Sequence, residues 1–182
     1  MNNVTQVRLS GSGGQGIVLA GLLLGEAGAS DGKYVAGGNF YGAQARGSGC
    51  RSDVILSDEP VDFPHLITPD YLIAMSQDTY DLYGEELRAS GGVVLFDPAF
   101  VTPKSATPVR EIAVQATEHA VKVLNNQQMA NLVLLGAFIE ITGIVSREAC
   151  RKAVTMHVKE RFRELNFKAF EEGMELGRKV NG

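Results

Sequence analysis

The chain has 182 residues, a length that favours one domain with a substantial core, and we interpret 1–182 as a single domain. Lys and Arg number 17 against 21 Asp and Glu, and the formal net charge of −4 gives no electrostatic support for general binding to nucleic acid or to an anionic membrane. Because no apolar run is long enough for a membrane span and none fits a signal peptide, we expect a cytoplasmic protein.

Residues that could ligate a metal are few and scattered. Cys50 and Cys150 lie far apart, without a C-x-x-C pair or a histidine at ligand spacing. Two cysteines cannot by themselves hold an iron–sulfur cluster or a four-ligand zinc ion. We therefore expect two reduced thiols and no metal on this chain, and we interpret His65, His119 and His157 as surface or packing residues.

The first predicted unit is a strand, a glycine-rich turn and a helix. Residues 4–10 are rich in β-branched side chains, and residues 17–29 are apolar at nearly every helical position. The turn between them fits G-x-G-x-x-G, a pattern whose glycines serve a tight turn, close approach of a ligand and helix packing. Since a helix start offers unpaired N–H groups and a positive dipole end, these residues are predicted to bind phosphate. The predicted binding residues are Gly11, Ser12, Gly13, Gly14, Gln15 and Gly16.

Two observations bear on what this turn binds. A nicotinamide site normally has an acidic residue at the end of the second strand, about 20 positions further on. The second predicted strand, 33–36, is followed by Gly37-Gly38-Asn39, and no Asp or Glu occurs between Asp31 and Asp53. Classical NAD binding is therefore disfavoured, and the alternatives are another phosphate-bearing ligand or a turn that only packs.

The remaining elements alternate between strands and helices before the chain becomes helical. Further strands are predicted at 52–57, 71–75, 93–96 and 109–113. Helices are predicted at about 78–88, 116–124, 129–141, 147–163 and 167–179, with Asp78 and Ser146 as N-caps and with Leu82 and Leu87 buried. We therefore predict an α/β fold with a doubly wound, mainly parallel, Rossmann-like sheet and a helical C-terminal third packed on it.

A second glycine-rich segment, 37–51, follows the second predicted strand. Arg46 and Arg51 could bind phosphate or carboxylate, and Phe40 and Tyr41 could stack on a ring or contact a partner. A mobile loop, or one that only a neighbouring subunit orders, is the alternative. We interpret Asp53, Asp58 and Asp97 as turn and cap residues. The chain has no recognisable catalytic set, which indicates a subunit of something larger.

Several motifs follow one another along the chain. The first is the glycine turn followed by Ala20-Gly21-x-Leu23-Leu24. The later motifs are Tyr41-Gly42-x-x-x-Arg46-Gly47, Ser52-x-Val54-x-x-Ser57-Asp58, Pro69-Asp70, Asn131-x-Val133-x-Leu135-Gly136-Ala137 and Asn166-x-x-Ala169-Phe170-x-x-Gly173. Together, in this order and spacing, they resemble the gamma subunits of 2-oxoacid:ferredoxin (acceptor) oxidoreductases, and the 2-oxoglutarate type in particular. The chain departs from the pattern at Gln44, where the family usually has an acid, and at Gly47-Ser48-Gly49-Cys50.

The resemblance implies a reaction and a set of partners. The reaction is oxidative decarboxylation of a 2-oxoacid with coenzyme A, giving acyl-CoA, carbon dioxide and reduced ferredoxin. The family places thiamine diphosphate and the iron–sulfur clusters on partner alpha, beta and ferredoxin-like delta subunits. The glycine turn, with Tyr41 and Arg46, would help to hold coenzyme A, and the isolated chain is expected to be inactive. The alternatives are a scaffold subunit without a ligand and a free-standing NAD(P)-dependent oxidoreductase.

Overall fold

A computed structural model describes residues 4–42, 49–104 and 109–181. Within these ranges, six strands form one sheet in the order β2-β3-β1-β4-β5-β6. The strands are β1 (Val4–Ser12), β2 (Tyr34–Tyr41), β3 (Gly49–Ser57), β4 (Tyr71–Ala74), β5 (Val93–Phe96) and β6 (Arg110–Ala113). The neighbouring strands β1, β4, β5 and β6 are parallel to one another. The strand β3, which lies between β1 and β2, is antiparallel to both.

In the described part of the chain, six helices and one short 3-10 turn accompany the sheet. They are α1 (Ile17–Ser30), α2 (Gln77–Ser90), α3 (Ala116–Leu124), the 3-10 turn Gln127–Met129, α4 (Ala130–Thr142), α5 (Arg147–His157) and α6 (Glu160–Asn181). The predicted α/β class and the helical C-terminal third are thereby confirmed. In the part of the chain that the structure describes, no helix is both long and apolar enough to cross a bilayer.

Side chains alternate across the sheet and bury two separate cores. Val7 and Leu9 of β1 point to the face that α1 covers, and α4 lies in the same core. On the opposite face, Leu72 and Val94 pack beneath Tyr80 of α2 in a smaller core. Helices on both faces make the sheet doubly wound, and its carboxyl-end edge beside β1 and β4 is where such folds bind ligands.

The helix α4 is buried on nearly all sides, as its uniformly apolar sequence predicts. Its residues from Ala130 to Ile139 are all buried. Close contact with α6 depends on glycine, because a Cβ at Gly136 would meet the Phe170 carbonyl oxygen and one at Gly173 would meet that of Val133. Two helix backbones therefore approach each other directly in the C-terminal third.

The second glycine-rich segment is strand at both ends, so its interpretation as a loop was wrong for the described residues. Phe40 and Tyr41 continue β2, and Gly49–Ser57 forms β3. Backbone pairing of Tyr41 with Cys50 and of Phe40 with Arg51 explains the difference, because ladder hydrogen bonds with a distant segment outweigh the turn-forming tendency of glycine. Residues 43–48, which include Arg46, lie outside the described residues.

Three details of the helices differ from the predictions. Leu82 is 62% exposed, because the buried face of α2 is formed by Tyr80 and Leu87. Ser76, and not Asp78, caps α2 by accepting from the Thr79 N–H. The predicted helix 147–163 ends at His157, since Val158 has an extended backbone and a buried side chain. The Ser146 cap is confirmed.

Candidate functional site

The glycine turn joins the end of β1 to the start of α1 and takes its shape from Gly14 and Gly16. Their φ angles are +95° and +75°, a region that glycine adopts without steric cost. Gly11 is still in β1, where a Cβ would lie 2.5 Å from Gln15 Oε1 and 3.1 Å from Met75 Cβ. The first glycine of the motif therefore serves packing, and not the turn that the pattern predicted for it.

Gln15 holds the turn against the sheet. Its Oε1 accepts from the Ser12 backbone N–H at 2.6 Å, and its Nε2 donates to the Met75 carbonyl oxygen at 2.8 Å. Both ends of the Gln15 amide are thus bonded within the protein and tie the turn to the residue that follows β4. Gln15 therefore positions the turn. The ligand contact that the sequence predicts for it stays a prediction.

The start of α1 has the free donors that an anion site needs. Gly16 is the N-cap and has no side chain, and no described side chain caps this helix. The first helical backbone bond is the one from the Ala20 N–H to the Gly16 carbonyl oxygen, at 3.0 Å. The preceding N–H groups and the positive end of the helix dipole therefore face the turn without a side-chain cap.

A crevice of about 150 Å³ opens beside the turn. Its lining residues are Gly14, Gln15, Met75, Phe100, Thr117, Gln127, Gln128 and Ala130. Pockets for whole drug-sized ligands have volumes of about 300–1,000 Å³, so this crevice suits one group of a longer ligand.

Thr117, which lines this crevice, has a buried hydroxyl group. The residue is 8% exposed, and its Oγ1 is buried and has no hydrogen-bond partner among the described residues. Its backbone N–H donates to Asp97 Oδ2 at 2.8 Å, which fixes its position at the start of α3. A buried hydroxyl without a partner is uncommon, because it loses its hydration without compensation. The sequence patterns did not predict a role for Thr117. Its position shortly after β6 could have indicated one, because such folds bind ligands at the carboxyl ends of their parallel strands.

Tyr41 does not meet the glycine turn. It pairs with Cys50, which in turn pairs with Gly11, so two strand spacings of about 4.8 Å separate Tyr41 from β1. Its side chain is 69% exposed at the end of β2. The structure brings together the residues of the turn and Thr117 but places Tyr41 toward the sheet edge.

The three aspartates interpreted as turn and cap residues have different roles. Asp97 accepts from the backbone N–H groups of Ala99 and Thr117, which confirms a capping role. Asp58 is exposed beside Lys33. Asp53 was assigned wrongly, because it lies inside β3, is buried and forms a two-point ion pair with Arg8.

The cysteines lie in different elements and are both buried and free. Cys50 is in β3 and Cys150 in α5. Burial, with a smaller contribution from the negative charge of Asp31, raises the pKa of Cys150 to about 12. Within residues 4–42, 49–104 and 109–181, no three His, Cys, Asp or Glu side chains cluster as a metal site.

Comparison with known proteins agrees with this architecture. The profile of the family described as pyruvate ferredoxin/flavodoxin oxidoreductase matches residues 6–176. The 2-oxoglutarate synthase subunit KorC of Methanocaldococcus jannaschii is 40% identical over 178 residues, covering 96% of this chain and 95% of that protein. The ketoisovalerate oxidoreductase subunit VorA of Methanothermobacter marburgensis is 34% identical over 96% of this chain but only 37% of its own length.

Solved structures share the fold over almost the whole chain. The gamma subunit of a keto/oxoacid ferredoxin oxidoreductase from Geobacter sulfurreducens has a TM-score of 0.84 at 38% identity, covering 96% of this chain and 99% of that one. The 2-oxoglutarate:ferredoxin oxidoreductase of Magnetococcus marinus, solved with 2-oxoglutarate, coenzyme A and succinyl-CoA, has a TM-score of 0.86 at 22% identity, covering 97% of this chain and 31% of that one. The chain belongs to the pyruvate ferredoxin/flavodoxin oxidoreductase family, as a gamma-type subunit of a multi-subunit 2-oxoacid:ferredoxin oxidoreductase.

Proposed function

We propose that this subunit helps to bind coenzyme A for the CoA-dependent oxidative decarboxylation of 2-oxoglutarate to succinyl-CoA and carbon dioxide, with ferredoxin as electron acceptor. The observation that carries the proposal is the uncapped start of α1 beside a crevice lined by Thr117, whose buried hydroxyl bonds to no described group. Phosphate oxygens accept hydrogen bonds from both kinds of donor. The choice of 2-oxoglutarate is supported by the higher identity to a 2-oxoglutarate synthase subunit than to the ketoisovalerate subunit.

The described residues fit a phosphate group of coenzyme A. A Cβ at Gly14 would have no atom within 4 Å, so the outer side of the turn is open to a ligand. The N–H groups at the start of α1 would donate to phosphate oxygens, and the Thr117 hydroxyl would donate as well once its side chain turns it toward the crevice. The pantetheine thiol would then extend beyond this chain toward a partner subunit, which fits a crevice too small for a whole ligand.

The redox and thiamine chemistry belongs, in this proposal, to alpha, beta and ferredoxin-like delta subunits. Thiamine diphosphate supplies carbanion stabilisation, and iron–sulfur clusters carry the electrons. The support from this chain is the separation of its two cysteines and the raised pKa of Cys150, since cluster ligation needs several thiolates together. The chain alone is therefore expected to fold but to show no oxoacid-dependent dye reduction.

A purely scaffolding subunit is the alternative that the packing role of Gly11 and Gln15 favours. If the turn only packs, its outer surface has no ligand to accommodate. Substitution at Gly13 separates the two possibilities, because Gly13 is exposed and, unlike Gly14 and Gly16, has no positive φ. A side chain there blocks a ligand without straining the backbone.

The test is Gly13→Ala and Gly13→Val in the assembled complex. We expect Val to raise the CoA concentration needed for half-maximal rate by more than tenfold, equivalent to about 1.4 kcal/mol, with a smaller effect for Ala. The half-saturating 2-oxoglutarate concentration changes much less, because the oxoacid binds on another chain in this proposal. Circular dichroism and size-exclusion profiles serve as folding and assembly controls. Wild-type CoA dependence in an intact Val variant would favour the scaffold.

A further inference from the structure

The strand β2 leaves one edge of the sheet open. It is the terminal strand, and no strand of the described ranges pairs with its outer side. Its eight residues, Tyr34–Tyr41, contain no charge and no proline and pair with β3 in continuous register. At about 3.4 Å per residue the edge is about 27 Å long. Proteins usually protect such an edge with lysine, proline or a bulge, so an unprotected one suits pairing with another chain.

A groove runs beside this edge on the face covered by α1. Its volume is about 590 Å³, and glycines from α1 and β2 form part of its lining. A Cβ at Gly25 would lie 3.4 Å from Val35 Cγ1, so side chains on α1 would narrow the groove. Leu22, Val35 and Pro64 add apolar surface. The lining has two acidic residues: Glu26, whose Oε1 lies 3.3 Å from His157 Nε2, and Asp53, whose carboxylate is bonded to Arg8. The groove therefore suits uncharged side chains of an added strand.

The opposite face of β2 and β3 carries two arginines beside one buried carboxylate. Arg8 donates to Asp53 from Nε to Oδ1 at 2.9 Å and from Nη2 to Oδ2 at 3.1 Å, and both side chains are buried. Arg51 Nε lies 3.5 Å from the same Asp53 Oδ2. Arg8 thus occupies both oxygens of the Asp53 carboxylate, whereas the Nε of Arg51 makes no hydrogen bond to any described residue.

Arg51 presents this charge to the surface in a fixed orientation. Its guanidinium carbon lies 4.1 Å from the centre of the Phe40 ring and 5.5 Å from that of Tyr83, and the side chain is 27% exposed. Phe40 belongs to β2, so the charge lies next to the open edge. A guanidinium held between aromatic rings loses little side-chain freedom on binding a carboxylate, and arginine with aromatic residues is typical of interface hot spots.

We infer that the outer edge of β2 is a docking site for an extended segment of a partner subunit, which adds a strand to the sheet and places a carboxylate on Arg51. Charge complementarity selects this occupant, because a second copy of β2 would bring no acidic residue to Arg51. Strand addition supplies backbone hydrogen bonds, and side chains at alternate positions enter the groove or reach Arg51. The inference requires only that the chain works in a multi-subunit complex, and it is independent of coenzyme A binding.

Hydrogen exchange on the unmodified protein tests the strand addition. Backbone amides of Tyr34–Tyr41 are compared between the isolated chain and the chain in the complex with its co-expressed partner subunits. We expect the outward-facing amides to exchange at least about tenfold more slowly in the complex, since they gain hydrogen bonds. Equal exchange rates in the two states would overturn the inference.

Two variants test the apolar and ionic contributions. Val35→Lys places a charge on the exposed edge, and Arg51→Gln removes the positive charge. We expect each to weaken association with the partner subunits about tenfold or more, and Arg51→Gln also to reduce the dependence of association on NaCl concentration. The matched controls are Val121→Lys, at an exposed valine of α3, and Arg161→Gln, whose guanidinium lies over Phe162 on α6. These should associate within about twofold of wild type.

The remaining outcomes identify other occupants. If the isolated chain dimerises and Val35→Lys abolishes the dimer, a second copy occupies the edge and the inference is wrong. If Arg51→Gln raises the CoA requirement while association is unchanged, Arg51 serves a small anion and the inference is also wrong. Gly13→Val should show the reverse of the docking variants, with altered CoA dependence and normal association, so the two proposals can fail separately.

Discussion

Asn131 donates from Nδ2 to the Gly16 carbonyl oxygen at 3.1 Å and so joins the start of α4 to the start of α1. A Cβ at Gly16 would lie 2.3 Å from that same Nδ2. Asn131 is 4% exposed, and it closes the inner side of the glycine turn while Gly14 leaves the outer side open. The hydrogen bond therefore fixes the position of the start of α4 relative to the start of α1, beneath the proposed phosphate position.

This contact predicts unequal effects of alanine at the two glycines with positive φ. Gly14→Ala should lower the free energy of unfolding by about 1 kcal/mol, because it strains the backbone but meets no neighbouring atom. Gly16→Ala should cost about 2 kcal/mol or more, because it also displaces Asn131. Urea unfolding of the isolated chain measures both. Equal losses would show that Asn131 moves aside freely.

Removal of the Thr117 hydroxyl is predicted to have opposite effects on stability and on binding. Thr117→Val keeps the shape of the side chain and deletes a buried oxygen that bonds to no described group, so stability should be unchanged or higher by up to about 1 kcal/mol. The affinity of the assembled complex for coenzyme A should fall about threefold to tenfold if the hydroxyl donates to phosphate.

Thr155→Val is the matched control for that experiment. Thr155 is exposed on α5, and its Oγ1 donates to the Arg151 carbonyl oxygen at 2.9 Å, away from the crevice. Thermal unfolding and calorimetric titration with coenzyme A compare the two variants. Unchanged affinity in Thr117→Val would remove this hydroxyl from the proposed site.

The buried Arg8–Asp53 ion pair predicts a large loss of stability when the negative charge of Asp53 is removed. Asp53→Asn leaves Arg8 charged and buried beside Arg51, so the free energy of unfolding should fall by about 3 kcal/mol. Asp58→Asn, the same change in the exposed pair with Lys33, should cost less than about 1 kcal/mol. Denaturant unfolding of the two variants gives the comparison. Similar costs would mean that water reaches the Arg8–Asp53 pair.

The raised pKa of Cys150 predicts a loss of stability at alkaline pH. Because the folded protein keeps this thiol protonated up to about pH 12, whereas an ordinary thiol titrates near 9.0, folding favours the protonated form. The stabilisation is fully present below about pH 9 and is lost progressively as the pH rises toward 12. The loss is measured from the free energies of unfolding of wild type and Cys150→Ala between pH 8 and pH 11, in steps of about half a pH unit. Cys150→Ala should be less stable than wild type at pH 8 but should lose less stability as the pH rises. If the stabilities of the two proteins fall in parallel with pH, the raised pKa of Cys150 is contradicted.

Local patterns in the sequence determined much of the framework and the position of the candidate site. The start of α1 at Ile17 follows from an apolar helical pattern after a run of glycines, and α3 and β5 have the predicted bounds. These features depend on residues close together in the chain, where propensity, capping and periodicity act. The break between the last two helices was predicted at 164–166 but lies at 158–159, because its position depends on burial of Val158.

Tertiary structure alone decided how β3 is used and what faces the glycine turn. The insertion of β3 antiparallel between β1 and β2 brings Asp53 to Arg8 and leaves β2 as an open edge. Thr117 lines the crevice beside Gly14 only because β4, β5 and β6 pair in parallel and bring the residues after β6 to the same edge of the sheet. Strand order and partner choice arise from packing between segments that are distant in sequence, and a local pattern is compatible with several such arrangements.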